Sequence, residues 1–337
     1  MQDEMTLDRR LMLSGMLAAT LPVATSSAIA QENTAEETDG NYVSVNGIRV
    51  HYLRYRATRP PIVLLHGWPA YSEEWRPVMD RLRGRFDLIA PDLRNFGKSD
   101  KPAGDEPAAN CGPDILAADL LAFADRLGLK TFGIVSHDVG AYVAQTFARQ
   151  HPERLSGLFF FNCPYNGIGN RWADAPHLLQ TWYQYFNQQP FAAKLVGSSR
   201  EACRHYIGHF LKAWSAGNPA AFDVVVEQWV DNFMRPHNLQ GGFNWYISTN
   251  PGRQATIQGR ASAVPVIRTP TKFFWGRLDP SIKAEWTDRL DEFFSDFDLS
   301  FCEDGGHFVN YERPDAASRE IQTFFEGSRV NWKSVDA

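Results

Sequence analysis

The sequence has few cysteines, no run of basic residues and no cysteine motif typical of a metal site. Its 337 residues carry a formal net charge of −5, and an acidic balance without a basic segment argues against nucleic acid as a partner. No Cys-x-x-Cys pair or cysteine–histidine spacing typical of zinc is present, so we expect no metal site. Sequence alone leaves open whether the four cysteines form disulfides or stay as buried thiols: Cys111, Cys163, Cys203 and Cys302.

The first thirty residues have the features of an export signal. Two adjacent arginines, Arg9 and Arg10, precede a moderately apolar stretch that ends in small residues. This order predicts a secretory signal peptide over residues 1–30, and the paired arginines favour the twin-arginine route. We therefore expect a periplasmic or secreted protein without stable membrane insertion after cleavage. A retained signal anchor is the alternative, and cleavage itself is left open.

Short apolar runs alternate with helical patterns in both halves of the chain. Asn46-Gly47 joins two runs of alternating polarity, which predicts a hairpin. Continuous apolar runs, among them 62–65, 158–161 and 272–275, predict strands that are buried on both faces. Strands of this kind, separated by helices, are typical of a mostly parallel sheet with helices on both faces. The fold class is therefore α/β.

The alternation stops in the middle of the chain, which predicts an inserted segment. Residues 165–264 are rich in aromatic and amide side chains, have helical spacing and contain no clear strand. We predict that they form a helical lid on a sheet domain made of residues 41–164 and 265–327. Residues 31–40 are predicted to be a flexible N-terminal segment, and residues 328–337 a C-terminal tail.

The stretch Ser136-His137-Asp138-Val139-Gly140 is the most informative motif. It follows an apolar strand and precedes a helical pattern, which is the layout of a nucleophile elbow. An aspartate occupies the position where serine is usual. A carboxylate is a stable anion at neutral pH and can attack without a base, so Asp138 is the candidate nucleophile.

Two further polar residues follow predicted strands and complete a catalytic triad. Asp279 and His307 come after the predicted strands at 272–275 and 297–301. In an open α/β sheet, ligands bind at the carboxyl ends of the strands. The order of nucleophile, acid and histidine along the chain is that of the α/β-hydrolases. We therefore predict that Asp138, Asp279 and His307 meet at one edge of the sheet.

Residues 42–325 resemble an epoxide hydrolase of the α/β-hydrolase fold, with a mostly parallel central sheet and an inserted helical lid. The turn at 66–69, His-Gly-Trp-Pro, and the elbow at 136–140 are similar to the motifs of that family. Two lid segments are similar to those that carry its ring-opening tyrosines, namely 183–190 around Tyr183 and 243–246 around Tyr246. The tyrosine pair is the discriminating signal, because several enzyme classes share the elbow and the triad.

The resemblance implies a two-step hydrolysis of an epoxide to a vicinal diol. Asp138 attacks a ring carbon to form an alkyl ester, and Tyr183 and Tyr246 protonate the departing oxygen. Water activated by His307, which Asp279 orients, then hydrolyses the ester. The substrates are thus a small-molecule epoxide and water, with no cofactor.

Further contacts to the substrate are expected from the turn after the first parallel strand and from the lid. The backbone N–H groups of Trp68 and Val139 are predicted to form the oxyanion hole for the second step. The side chains of Trp68, Trp182 and Phe308 are predicted to contact the substrate. Packing of an aromatic lid on the core is the alternative role for Tyr183 and for Tyr246.

Two other functions use the same fold. A haloalkane or haloacid dehalogenase would use the same Asp–His–Asp triad, but haloalkane dehalogenases generally take a halide donor from a tryptophan directly after the nucleophile. This chain has Val139 there, and the arginine that fluoroacetate-type enzymes place at that position is also absent. A non-catalytic binding protein is the second alternative, which is disfavoured because nucleophile, histidine and lid tyrosines are all present.

Overall fold

The first two strands, β1 (Glu37–Val45) and β2 (Ile48–Tyr55), form an antiparallel hairpin. The turn residues Asn46 and Gly47 both have positive φ, 45° and 78°. A two-residue turn of type I′ requires positive φ at both positions, and Asn-Gly adopts that conformation at low cost. The hairpin predicted from this dipeptide is therefore confirmed.

The computed structural model describes residues 37–102 and 110–332. The predicted export signal and residues 31–36 lie outside this part of the chain. The structure corrects the predicted extent of the flexible segment 31–40, because residues 37–40 belong to β1, which pairs with β2. A register shift between Thr38 and Asn41 interrupts the alternation there, which hid the strand from pattern analysis.

Six more strands continue the sheet: β3 (Pro61–Leu65), β4 (Asp87–Pro91), β5 (Phe132–His137), β6 (Leu155–Phe161), β7 (Thr271–Gly276) and β8 (Phe297–Cys302). The order in the sheet is β1-β2-β4-β3-β5-β6-β7-β8. The six strands β3 to β8 run parallel to one another, and β2 pairs with β4 in the antiparallel direction. The central strands are buried along their whole length, as their unbroken apolar runs predict. The predicted α/β class and mostly parallel sheet are confirmed.

Helices cover both faces of the sheet. The helices of the described residues, including those of the lid, are α1 (Arg76–Leu82), α2 (Pro113–Arg126), α3 (Val139–Gln150), α4 (Ala175–Phe186), α5 (Ala192–Val196), α6 (Arg200–Trp214), α7 (Val226–Phe233), α8 (Asn238–Ile257), α9 (Val309–Glu312) and α10 (Pro314–Glu326). Alternate residues of β3 show the two layers. Ile62 and Leu64 pack with α1 and α10, whereas Val63 and Leu65 pack with α2 and α3.

The lid segment lies between β6 and β7, which are neighbours in the sheet. It contains α4 to α8 and a 3₁₀ segment at Asn166–Ala173, and no strand. Because β6 and β7 run parallel, the insertion leaves the sheet at the carboxyl end of β6 and crosses back to the amino end of β7. Tyr183 and Tyr246 of the lid pack on Trp68, which follows β3, so the lid sits over the carboxyl ends of the central strands.

The four cysteines are buried and free, so the alternative of buried thiols holds for this structure: Cys111, Cys163, Cys203 and Cys302. Beyond α10, the predicted tail packs on the core as far as it is described. Val330 is buried, and Trp332 donates its indole N–H to the carbonyl of Phe325 at 3.0 Å. In the described ranges, no helix combines the length and the apolarity that a bilayer span requires.

Gly140 tests how closely α3 approaches the sheet. A Cβ built on Gly140 would lie 2.3 Å from the carbonyl oxygen of Leu65, a backbone atom that cannot move aside. We expect Gly140→Ala to lower the free energy of unfolding by about 1–3 kcal/mol through overpacking. Gly252→Ala is the matched control, because nothing lies within 4 Å of the added methyl group and alanine favours a helix by about 0.5–1 kcal/mol. Urea unfolding of both variants measures the difference, and equal midpoints would contradict the close approach.

Candidate active site

Asp138 occupies a sharp turn between β5 and α3. Its φ of 47° and ψ of −112° are unusual for a residue with a side chain. The turn is held by two backbone bonds, from Gly140 N–H to the His66 carbonyl at 3.0 Å and from Ala141 N–H to the Asp138 carbonyl at 2.9 Å. Gly67 passes so close that a Cβ there would lie 2.6 Å from the Cβ of Asp138. The strained turn therefore projects the carboxylate from the edge of the sheet.

The carboxylate of Asp138 accepts a backbone N–H group from the turn after β3. Trp68 donates its N–H to Oδ1 of Asp138 at 3.0 Å. Val139 is the first residue of α3, and the N–H groups of the first helical turn have no acceptor within the helix. The two predicted oxyanion donors thus come from the turn after β3 and from the helix that follows the nucleophile. One carboxylate oxygen is fixed in this way, and the other remains available.

His307 and Asp279 form a buried pair behind the nucleophile. Nδ1 of His307 lies 2.8 Å from Oδ2 of Asp279, and both side chains are fully buried. Oδ1 of Asp279 accepts the N–H groups of Ser281 and Ile282 at 2.7 and 3.0 Å. The aspartate therefore has a fixed orientation and holds the proton of the imidazole on Nδ1, which leaves Nε2 for chemistry.

The electrostatics of this pair favour a charged histidine. Burial alone would lower the pKa of His307, but the carboxylate of Asp279, assisted by that of Asp138, raises it above its usual value. Burial alone would likewise raise the pKa of Asp279, and the imidazole with its other donors holds it below the usual range. Nε2 of His307 has no hydrogen-bond partner among the described residues. The site can thus take up a proton at this nitrogen.

Asn162 supports the acid, a role that sequence reasoning missed. Its side-chain amide donates to Oδ2 of Asp279 at 2.6 Å and accepts the N–H of Gly276 at 3.0 Å. The residue has a φ of 39° and follows β6 directly. The only signal in the sequence was the position of Asn162 directly after a predicted strand, where a catalytic acid could stand but an amide cannot act as one. Asn162 instead links the ends of β6 and β7 through the acid.

A second buried acid–histidine pair lies beside the first. Nδ1 of His137 is 2.5 Å from Oε1 of Glu74, and the imidazole centroids of His137 and His307 are 4.6 Å apart. Burial would raise the pKa of Glu74, but His137 and the donors Asn310 and Gly67 N–H keep it low. Glu74, the acidic partner of His137, lies too far away in sequence to be identified from a local motif.

Tyr183 on α4 and Tyr246 on α8 face a cavity of about 530 Å³ that Asp138 also lines. Their rings are 5.6 Å apart and nearly perpendicular, and the indole of Trp68 stacks on Tyr183 at 5.1 Å. Burial is the main cause that raises the pKa of each phenol, and the neighbouring Asp138 adds to it. Both hydroxyls therefore stay protonated at neutral pH and can donate into the cavity.

The wall of this cavity differs from the prediction at the aromatic residues. Trp182 does not line it: the side chain is 42% exposed and turns toward Tyr206 and Phe210 on the other side of α4. Phe308 is fully buried between His137 and His307 and does not reach the wall either. Adjacent residues of a helix point in different directions, so Tyr183 and Trp182 cannot both face the cavity.

The ring of Trp68 supports the wall from behind through its stack on Tyr183. The wall itself is made of other aromatic residues and of polar side chains, including these: Tyr142, Gln145, Trp245, Arg253 and Ser281. Sequence reasoning missed this mixed character, because the lining residues come from the core helix α3 and from the lid. Within the described ranges, no cluster of three or more His, Cys, Asp or Glu side chains is arranged to hold a metal ion.

Glu312 ties the histidine loop to the lid. Its buried carboxylate accepts the N–H of Gly306, next to His307, at 3.0 Å and the N–H groups of Gly217 and Asn218 at 3.0 and 3.1 Å. Burial raises the pKa of this carboxyl to about 7, although the N–H donors favour the carboxylate. Sequence analysis did not identify Glu312, because a single glutamate in a short helix carries no signal.

The chain is similar to several hydrolytic enzymes. A profile of the α/β hydrolase fold matches residues 60–314. A soluble epoxide hydrolase from Corynebacterium sp. (strain C12) is 28% identical over 291 residues, which cover 83% of this chain and 95% of that protein. A fluoroacetate dehalogenase from Burkholderia sp. is 29% identical over 279 residues, which cover 80% and 88%.

A solved structure shares the fold. The crystal structure of an epoxide hydrolase from Bacillus megaterium with an inhibitor matches with a TM-score of 0.71 at 22% identity, over 85% of this chain and 100% of that chain. The profile match spans most of the sequence and includes the elbow, the acid and the histidine. The protein is therefore a hydrolase that belongs to the α/β-hydrolase fold family.

Proposed function

We propose that the protein is an epoxide hydrolase that forms a covalent ester on Asp138. The observation that carries this proposal is the shared cavity, which a nucleophilic carboxylate and the two protonated phenols of Tyr183 and Tyr246 line together. Ring opening needs these groups on opposite sides of one small molecule. The similarity to a named soluble epoxide hydrolase over most of both chains supports the same reaction.

In the first step, the free carboxylate oxygen of Asp138 attacks a ring carbon. Oδ1 already accepts the N–H of Trp68, so Oδ2 is the attacking atom. The C–O bond of the epoxide breaks as the new ester bond forms, and the ring oxygen leaves as an alkoxide. Tyr183 or Tyr246 supplies a proton to that oxygen while the other phenol donates a hydrogen bond. Two donors share the developing charge.

In the second step, water hydrolyses the ester. Nε2 of His307 removes a proton from a water molecule, which attacks the ester carbon of Asp138. Oδ1 becomes the oxyanion and is stabilised by the N–H groups of Trp68 and Val139; loss of one such donor typically costs roughly 10²–10³ in rate. Asp279 stabilises the imidazolium, which returns its proton to the departing alcohol as the ester C–O bond breaks. The carboxylic acid regenerated on Asp138 gives its proton to the tyrosinate, and both groups are restored.

Dehalogenation is the second candidate function, because the chain is also similar to a fluoroacetate dehalogenase. A departing halide is a weak base that needs N–H donors but no proton. Val139 follows the nucleophile and offers no side-chain donor, whereas the cavity carries two phenols that an alkoxide would require. The donors therefore favour an epoxide as the substrate.

Assays of diol and bromide release separate the two functions. We expect the wild-type protein to convert styrene oxide to its diol and to release no bromide from 1-bromobutane. Tyr183→Phe combined with Tyr246→Phe should reduce diol formation by about 10²–10⁴-fold, because the alkoxide loses its proton donors. Tyr185→Phe is the matched control, since that hydroxyl is on the outer part of the lid and bonds to Gln254. Bromide without diol would establish the dehalogenase instead.

The covalent intermediate can be trapped by removing the base. We expect His307→Gln to accumulate an ester whose mass exceeds that of the protein by one epoxide, because ring opening proceeds while water activation does not. Intact-mass spectrometry after mixing with styrene oxide detects it. The double variant with Asp138→Asn should show no adduct, and an adduct that persists there would locate the nucleophile elsewhere.

Asp279 influences the pKa of His307. The carboxylate of Asp279 stabilises the imidazolium of His307, so Asp279→Asn should lower the pKa of that imidazole from its raised value. Ester hydrolysis requires neutral His307, so its rate rises as pH passes through this pKa, and in the variant that rise should move to lower pH. Proton NMR titration measures the shift. Asp288→Asn, at an exposed ion pair with Arg171, should leave it unchanged, and an unaltered pKa in Asp279→Asn would contradict the pairing.

A further inference from the structure

The active-site cavity is lined by an arginine without an acceptor. Arg253 lies on α8 and lines the same cavity as Asp138. Its Nε and Nη2 atoms are buried and have no hydrogen-bond partner, and no carboxylate of the described residues forms an ion pair with it. Buried charged groups are normally paired, because an unsatisfied one costs free energy. The guanidinium of Arg253 is therefore an exception to this rule, and a bound ligand could supply the missing acceptor.

Aromatic rings hold the guanidinium in place. Its central carbon lies 5.3 Å from the ring centroid of Trp172 and 5.6 Å from that of Tyr185. Cation–π contacts of this kind stabilise and orient an arginine but do not satisfy its N–H groups. The side chain is consequently fixed before any ligand arrives, which reduces the entropy that binding would cost.

The two unpaired nitrogens are the pair that binds a carboxylate. Nε–H and the adjacent Nη2–H form a planar fork that matches the two oxygens of a carboxyl group. The same chain uses this fork elsewhere. Nε and Nη2 of Arg94 donate to the two carboxylate oxygens of Asp119 at 2.6 and 2.9 Å, within a buried pair. In Arg253 the same fork has no internal partner.

The spacing along α8 relates this fork to the reaction centre. Tyr246 and Arg253 are seven residues apart and therefore lie on the same helix face, with Cα atoms about 10 Å apart along the axis. Thr249 and Asn250 lie between them and also line the cavity. Of the two other arginines on the wall, Arg149 donates to a backbone carbonyl and Arg260 contacts Gln258. Arg253 is thus the positive group best placed to bind a ligand anion.

We propose that Arg253 binds a carboxylate of the substrate, so that the natural epoxide carries a carboxyl group on a chain that extends from the ring along α8. This substrate class rests on the proposed epoxide hydrolase function. The ring would lie between Asp138 and the two phenols while the chain runs along α8 to the guanidinium. A bidentate charge-assisted contact of about 1.5–3 kcal/mol corresponds to roughly 10- to 100-fold in affinity or in kcat/KM.

A matched pair of substrates tests the subsite. We expect the wild-type protein to hydrolyse 10,11-epoxyundecanoate with a kcat/KM roughly 10- to 100-fold above that of the corresponding primary amide. Arg253→Gln should abolish this preference, and Arg253→Lys should restore part of it, because the charge returns without the fork. Arg200→Gln, an exposed lid arginine paired with Glu227 and Asp231, should retain the full preference. Equal wild-type values for acid and amide would overturn the proposal even where both epoxides are opened.

Binding without turnover separates this proposal from the reaction itself. Calorimetric titration with decanoate and with decanamide needs no epoxide chemistry, so it tests the subsite even in the event that no epoxide is opened. We expect decanoate to bind the wild-type protein at least tenfold more tightly than decanamide. The two ligands should bind Arg253→Gln equally. Equal binding to the wild type would overturn the carboxylate subsite and leave the assignment of Asp138 untouched, whereas tight decanoate binding without hydrolysis of any epoxide would overturn the reaction alone.

Discussion

The close contact between the turn after β3 and the turn after β5 is the constraint on which the site depends. Gly67 and Gly140 let the two backbones approach at distances that a methyl group would prevent. This contact brings the N–H of Trp68 to the carboxylate of Asp138 and holds that residue in a strained conformation. Because the indole of Trp68 also stacks on Tyr183, the same contact sets the lid phenol relative to the nucleophile.

Buried charged groups lie close to this contact. Two buried acid–histidine pairs, Asp279 with His307 and Glu74 with His137, lie side by side under the nucleophile. Each carboxylate is neutralised by hydrogen bonds and by its histidine, so that burial does not protonate it. In this low-dielectric environment, charges interact more strongly than they do in water.

The sequence was sufficient for the fold and for the main polar groups. Hairpin, parallel strands and covering helices followed from apolar periodicity and turn residues, since each signal is local. Asp138, Asp279 and His307 could be placed together because parallel strands end at one edge of a sheet. Partners such as Glu74, and the free fork of Arg253, depend on which side chains meet across the folded chain. No local pattern encodes such contacts, and the same reason explains the wrong orientation expected for Trp182.

The carboxylate of Glu312 has a consequence for how molecules enter and leave. It joins the loop that carries the base to residues 217–218 of the lid through buried N–H bonds. Swinging the lid away at that side would strip the amides of Gly217 and Asn218 of their acceptor, at a cost of about 1–3 kcal/mol each. This side of the lid is therefore held to the core, so that passage of molecules to the cavity on this side is disfavoured.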